Sequence, residues 1–170
     1  NASHAEDNDR RPGAGHYPWP PSVDGLYEDA PIPAPRLGDP AIVAAHPRFL
    51  NESINRERFF WGYDSPEKFT TNVRAYYRMI SGIDHAVARV LAALEASGHA
   101  ANTIVVYTSD NGYYLGEHGL GDKRSLYEES IRIPMLARYS RAFPKGRVVD
   151  EMVLMSIDQS SGARIHRRES

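Results

Sequence analysis

Residues 66–97 carry apolar side chains at helical spacing, and a short turn at Gly98 leads them into "TIVVYTS", Thr103–Ser109. Phe69, Val73, Tyr76, Ile80, Ile83, Val87, Val90 and Leu94 recur three and four apart, one stripe facing a core. Ser65 supplies an N-cap, Pro66 suits a first turn and Glu67 favours the positive end of the dipole. Gly98 stops the helix, and Gly82 is expected to weaken or bend its middle. The following strand is short, β-branched and apolar on both faces, the pattern of a buried parallel strand. A long helix feeding a buried strand predicts an α/β domain, a mainly parallel sheet flanked by helices. "SLYEESIR" (Ser125–Arg132) predicts a short helix capped by Ser125, with Glu128 completing a capping box. "IPMLARY" (Ile133–Tyr139) and "EMVLMSI" (Glu151–Ile157) predict further strands. No internal repeat is visible.

The first 64 residues read differently. Prolines from Pro12 to Pro47 remove backbone donors and block helix interiors, which predicts a long extended loop. Tyr17, Trp19, Phe49, Phe59 and Trp61 are too many anchors for a disordered linker, so the loop is expected to be ordered and wrapped over the domain. The last twelve residues, "QSSGARIHRRES", are polar, basic and aperiodic, and are expected to be a disordered tail. The expected organisation is therefore 1–64 loop, 65–158 helix-strand-loop core and 159–170 tail. A formal net charge of -2 supplies no electrostatic case for nucleic acid or an anionic membrane. No apolar run approaches the roughly 18 residues of a membrane span. The chain does not open on Met, so Asn1 is expected to be an interior position of a longer product.

The chemistry concentrates in "TSDNGYYLGEHGLGDKRS", Thr108–Ser125. Asp110 and Asn111 stand at the carboxyl end of a strand, where open α/β sheets bind ligands. A carboxylate and an amide carbonyl are hard oxygen donors suited to Ca²⁺ or Mg²⁺. Gly112 allows a sharp turn, and Lys123 supplies a compact positive charge for an anionic group. Metal plus lysine would neutralise a phosphate or sulfate ester. An Asp-Asn-Gly triplet by itself is also what a simple turn looks like.

"TIVVYTSDNGYYLGEHGLGDKRSLYEESIRIPMLARY" resembles the C-terminal part of the sulfatase catalytic domain, in the alkaline phosphatase superfamily. "YYRMISGIDHAVARVLAALEASG" is similar to the family's long helix before that strand. "SHAEDN" resembles the segment with a sulfate-binding histidine, with Ser3 and Ala5-Glu6 replacing the usual Pro-His-x-Pro surroundings. The resemblance covers residues 1–158 and implies a partial sulfatase-like domain. It implies that Asp110 and Asn111 bind the active-site Ca²⁺. It also implies that Lys123, thirteen residues after Asp110, and His4 contact the sulfate and stabilise the charge in catalysis, with His118 beside the substrate. His4 would protonate the leaving oxygen. Glu117 is expected near the site. The implied substrate is a sulfate ester of a sugar or small molecule, and the implied compartment is periplasmic, secreted or lysosomal.

Two departures accompany the resemblance. The family's Cys-x-Pro-x-Arg or Ser-x-Pro-x-Arg motif, whose first residue becomes the formylglycine nucleophile, is missing, and Cys is 0. The upstream Asp-Asp metal pair is missing with it, and, as the second departure, "QSSGARIHRRES" follows Ile157-Asp158 where the family continues with a Pro-Thr segment opening another helix. The chain is thus expected to supply metal- and sulfate-binding residues and, alone, to lack turnover. A phosphonate or phosphate ester hydrolase of the same superfamily, or a non-catalytic remnant, fits the same residues.

Overall fold

The computed structural model describes residues 4–5, 15–150, 153–158 and 162–167. Five α-helices are described: α1 (Pro40–Ala44), α2 (Arg48–Asn51), α3 (Ile54–Gly62), α4 (Pro66–Ala96) and α5 (Glu128–Ile131). Six strands are described: β1 (Val105–Thr108), β2 (Tyr114–Leu115), β3 (Gly121–Asp122), β4 (Met135–Arg138), β5 (Val153–Asp158) and β6 (Gly162–Arg167).

The long helix forms as its sequence predicts. The Ser65 side chain accepts from the Lys68 N–H, Pro66 occupies the first turn, and Gly98 follows the end with φ +74. Gly82 does not interrupt α4. A Cβ there would come within 2.7 Å of Pro20 Cγ, so this glycine lets the N-terminal segment lie close on the helix. That segment crosses α4 with many bonds. Arg78 donates from Nε to the Leu26 carbonyl at 2.7 Å, pairs with Glu28 and lies over the Trp19 ring. Arg74 donates to the Tyr27 carbonyl at 2.8 Å. Between segment and helix lies a core of Tyr17, Ala75 and Met79, with Trp19, Tyr76 and Tyr113 against it.

The proline-rich region is not one extended loop. Pro40 opens α1, where Asp39 accepts from the Ala41 N–H, and Pro47 stands at the N-cap of α2. Ser53 caps α3 through the Arg56 N–H. Proline is tolerated at a helix start because its missing donor has no intrahelical partner there, so these prolines punctuate helices rather than exclude them.

The sheet also differs from expectation. β1 pairs β4 antiparallel, Val105 opposite Arg138 through Thr108 opposite Met135. β2 pairs β3 and β5 pairs β6, both antiparallel. No parallel pair occurs among the described residues. A parallel pairing needs a crossover of a dozen or more residues, usually helical. The connection from β1 to β4 is long enough, but it folds as the β2–β3 hairpin and the four-residue α5, with no crossover helix to carry the chain back along β1. β1 is not buried either: Val106 is 47 % exposed. It has one described neighbour, and its far side opens on an apolar groove of about 480 Å³ shared with Ile83, Val87 and Val90 of α4. Strand β6 falls in the stretch expected to be a disordered tail. Backbone pairing with β5 needs no apolar periodicity, which is why the composition did not announce it.

Candidate active site

Asp110 and Asn111 stand just past β1, as expected. Asp110 is exposed and has no protein partner among the described residues. Asn111 spends its amide nitrogen on the Gly112 carbonyl at 2.8 Å, leaving its Oδ1 as the free donor oxygen. Ser109 Oγ donates to the Asn111 carbonyl at 2.9 Å and pins this corner. Gly112 is needed for close approach rather than for a sharp turn. Its N–H donates to the Ser130 carbonyl at 2.8 Å, and a Cβ would collide with the Glu129 carbonyl oxygen. The corner is thereby clamped on α5.

The chain then folds back. Tyr114 pairs with Asp122 and Leu115 with Gly121, so Lys123 leaves the hairpin at the end where Tyr113 enters it, and Tyr113 is three residues from Asp110. Lys123 is half-buried and its ammonium has no protein partner among the described residues. Burial pushes the Tyr113 hydroxyl up to about 12, so that neighbour stays a neutral phenol.

The hairpin tip is turned by Gly116 at φ +98 and by His118, itself left-handed at φ 57. His118 is 8 % exposed, and its ring stacks on Tyr127 with centroids 4.0 Å apart. Its Nε2 lies 3.2 Å from Glu129 Oε2, and its N–H donates to the Leu37 carbonyl at 2.8 Å. Glu117 accepts from the Leu115 N–H at 2.7 Å and closes the tip. The expected Ser125 cap is absent: Tyr127 occupies the N-cap of α5 without a side-chain bond. Ser125 Oγ instead donates to the Tyr114 hydroxyl at 2.9 Å, tying the loop to β2.

His4 comes from the other end of the chain. Its Nδ1–H donates to the Ala5 carbonyl at 2.7 Å, which leaves Nε2 as the nitrogen able to exchange a proton with a ligand. Ala5 packs against the Tyr17 core, and it also lines a small cavity with Tyr113 and Asp122. The cavity therefore joins the neighbour of His4 to the neighbour of Lys123.

Helix α3 contributes what the sequence reading missed. Asn55 Nδ2 donates to the Gly121 carbonyl at 2.7 Å and Arg56 Nη1 to the Gly119 carbonyl at 2.7 Å. Arg58 Nη1 donates to Asp122 Oδ2 at 2.8 Å. One helix face thus holds three points of the loop that ends at Lys123. Its residues were hidden by the proline content before them, although the Ser53 cap was a usable signal. Among the described residues no group of three or more His, Asp or Glu side chains gathers to hold a metal. Asp110 and Asn111 supply two hard oxygens of the about six to eight that Ca²⁺ takes, so they fit as part of such a site. Among the described residues no helix is long and apolar enough to cross a membrane.

Comparison with known proteins identifies the family. The sulfatase family model matches residues 11–162. An N-acetylglucosamine-6-O-sulfatase of Bacteroides thetaiotaomicron is 41% identical over 91 residues, 54% of this chain and 16% of that protein. The multifunctional alkaline phosphatase superfamily protein PehA of Trinickia caryophylli is 32% identical over 160 residues, 85% of this chain and 31% of its own length. A solved structure of a protein in complex with its substrate D-glucosamine-2-N,6-O-disulfate shares the fold, with a TM-score of 0.57 at 24% identity, covering 76% of this chain and 37% of that one. The chain thus spans between about a sixth and two fifths of these relatives. With a family match over most of its length, the chain belongs to the sulfatase family.

Proposed function

We infer that this chain forms the metal- and sulfate-binding part of a sulfuric ester hydrolase. The observation that carries the reading is the pairing of Tyr114 with Asp122, which turns the chain back at Lys123 toward the segment that follows Asp110 and Asn111, while Asp110, Asn111 Oδ1 and the Lys123 ammonium have no protein partners among the described residues. Half-buried polar groups normally find partners, so the uncommitted Asn111 Oδ1 and Lys123 ammonium suit a ligand, and the exposed Asp110 is open to one.

In this reading Asp110 and Asn111 Oδ1 are two ligands of Ca²⁺, which when bound polarises the sulfate oxygens. Lys123 holds a sulfate oxygen as a point charge and stabilises the negative charge that develops on the sulfuryl group. His4 donates from Nε2 to the leaving oxygen. His118 supports the loop from within, through Tyr127 and Glu129, and shapes the substrate side of the site. The formylglycine nucleophile has no counterpart, because the chain has no Cys and no Ser-x-Pro-x-Arg motif. The chain alone is therefore expected not to hydrolyse aryl sulfates, and metal-dependent turnover by the pure polypeptide would refute that part. The names of the relatives support a sulfated amino sugar as substrate.

A calcium titration followed by NMR tests the site. Asp110 and Asn111 signals are expected to shift with weak affinity, and Asp110→Ala is expected to remove the shift. A calcium response that survives Asp110→Ala would place the metal elsewhere. The match to PehA favours a second reading, a phosphate or phosphonate ester hydrolase. Competition between inorganic sulfate and phosphate for Lys123 separates the two.

A further inference from the structure

Among the described residues nothing holds the Lys123 ammonium, so its place depends on its backbone, and that backbone is set by the residue before it. Asp122 is 1 % exposed and left-handed at φ 71, a conformation uncommon outside glycine that Asp adopts more readily than most residues. Its Oδ2 accepts two cations at once, Arg58 Nη1 at 2.8 Å and Arg124 Nε at 2.8 Å. Arg58 is itself fixed over the Trp61 ring at 5.0 Å. Asn55 holds the preceding carbonyl, at Gly121, and a Cβ on Gly121 would come within 3.0 Å of the Arg58 backbone. Helix α3 and the Asp122 carboxylate thus lock the residue on the N-terminal side of Lys123. On the C-terminal side Arg124 closes onto the same oxygen.

We propose that Asp122, anchored by Arg58, is a positioning residue that aims Lys123 at the bound anion. Asp122 does not touch the anion. It converts the rigid contact of α3 with the loop into a defined direction for the next side chain. Its carboxylate also offsets the two guanidiniums that flank it, so that Lys123 remains the uncommitted cation. The proposal rests on the reading of Lys123 as the anion-binding cation.

The chain has only three lysines, Lys68, Lys123 and Lys145, which makes the test direct. Lysine-selective isotope labelling resolves all three while inorganic sulfate is titrated into the full chain. Lys123 is expected to shift, and Lys68, already paired with Asp64, is expected to stay still. Asp122→Asn keeps an acceptor oxygen and the side-chain volume, and is expected to weaken sulfate binding about tenfold, the coupling size of groups in contact. Calorimetry on Lys123→Ala and on the double variant closes the cycle: the double variant is expected to bind no worse than Lys123→Ala. If Asp122→Asn leaves the Lys123 response unchanged, the positioning role is wrong and the reading of Lys123 stands. If Asp122→Asn weakens Lys123→Ala by the same factor, its effect does not pass through Lys123 and the proposal is also wrong. If Lys123 does not respond in the parent chain, the anion reading falls first and takes the proposal with it. Should Asp122→Asn fail to fold, Arg58→Gln carries the test, because it removes the charged anchor of Asp122 and leaves Arg124 on the same carboxylate. An unchanged Lys123 response in that variant would overturn the proposal.

Discussion

Asn72 shows how much one buried amide decides. It is 3 % exposed, accepts from the His16 N–H at 2.9 Å and donates to the carbonyls of Gly62 at 3.2 Å and Lys68 at 2.9 Å. Three segments meet on this side chain: the N-terminal segment, the end of α3 and the start of α4. Asn72→Ala leaves a buried donor and an acceptor unsatisfied and is expected to cost about 2–3 kcal/mol in urea unfolding. An effect under about 0.5 kcal/mol would show that water replaces the amide without loss. Nearby, His16 Nε2–H donates to the Trp61 carbonyl at 3.2 Å, so its buried Nδ1 is a bare acceptor. Arg58 Nε is a buried donor without a protein partner among the described residues, and both residues line the cavity of about 20 Å³ beside Ala5 and Asp122. That space suits one water, and the two groups are complementary to it: the water accepts from Arg58 and donates to His16. An ordered water there is the expected result of a high-resolution crystal structure.

At the scale of elements, α1, α3 and α5 meet the loop tip around two histidines. His46 is buried beside the Tyr127 ring, with neither ring nitrogen bonded by the protein. Burial lowers its pKa from about 6.5, and the nearby His118 and Arg56 lower it further. The unfolded chain accepts this proton near pH 6.5, whereas the folded chain resists it to a lower pH. Between those values the unfolded state binds more protons, so stability falls as pH drops through 6.5 and levels off once His46 titrates in the fold. The urea midpoint is expected to decline from pH 7.5 to 5.5 (roughly one unit either side of the free histidine value). His46→Phe is expected to flatten that decline, and a slope unchanged by this substitution would assign it to other groups. None of this was legible beforehand, because His46 sits in a stretch whose prolines pointed to a loop. The cap at Ser53 and the prolines at helix starts are local signals, but a 3.6-residue stripe is weak in helices this short.

Across the whole molecule the loop from Tyr114 to Lys123 is well packed and the apolar side of β1 is not. Val90 is 68 % exposed and Val106 47 %, on the two walls of the groove between α4 and β1. A two-stranded sheet with little cover is marginal in water. Amide exchange in β1 and β4 is therefore expected to be far faster than in the first half of α4, where Val73, Ala75 and Met79 are buried. Exchange of β1 at the rate of that half-helix would contradict this. A hydrophobic dye is expected to bind the groove, and Val90→Glu to weaken it.

Some of this protein was decided by local chemistry alone. Helix α4 and its ends follow from a cap, a proline, a glycine and a periodic stripe, all within the reach of neighbouring residues. The Asp110-Asn111 corner and Lys123 were likewise visible as residue types at a strand end. Tertiary structure decided the rest. Antiparallel pairing of β1 with β4, the grip of Asn55, Arg56 and Arg58 on the loop, and the burial of Asp122 join residues more than twenty-five positions apart. A sequence window does not contain both partners of such a bond, and whether a charge is a solvated surface group or a buried anchor depends on the partner it meets.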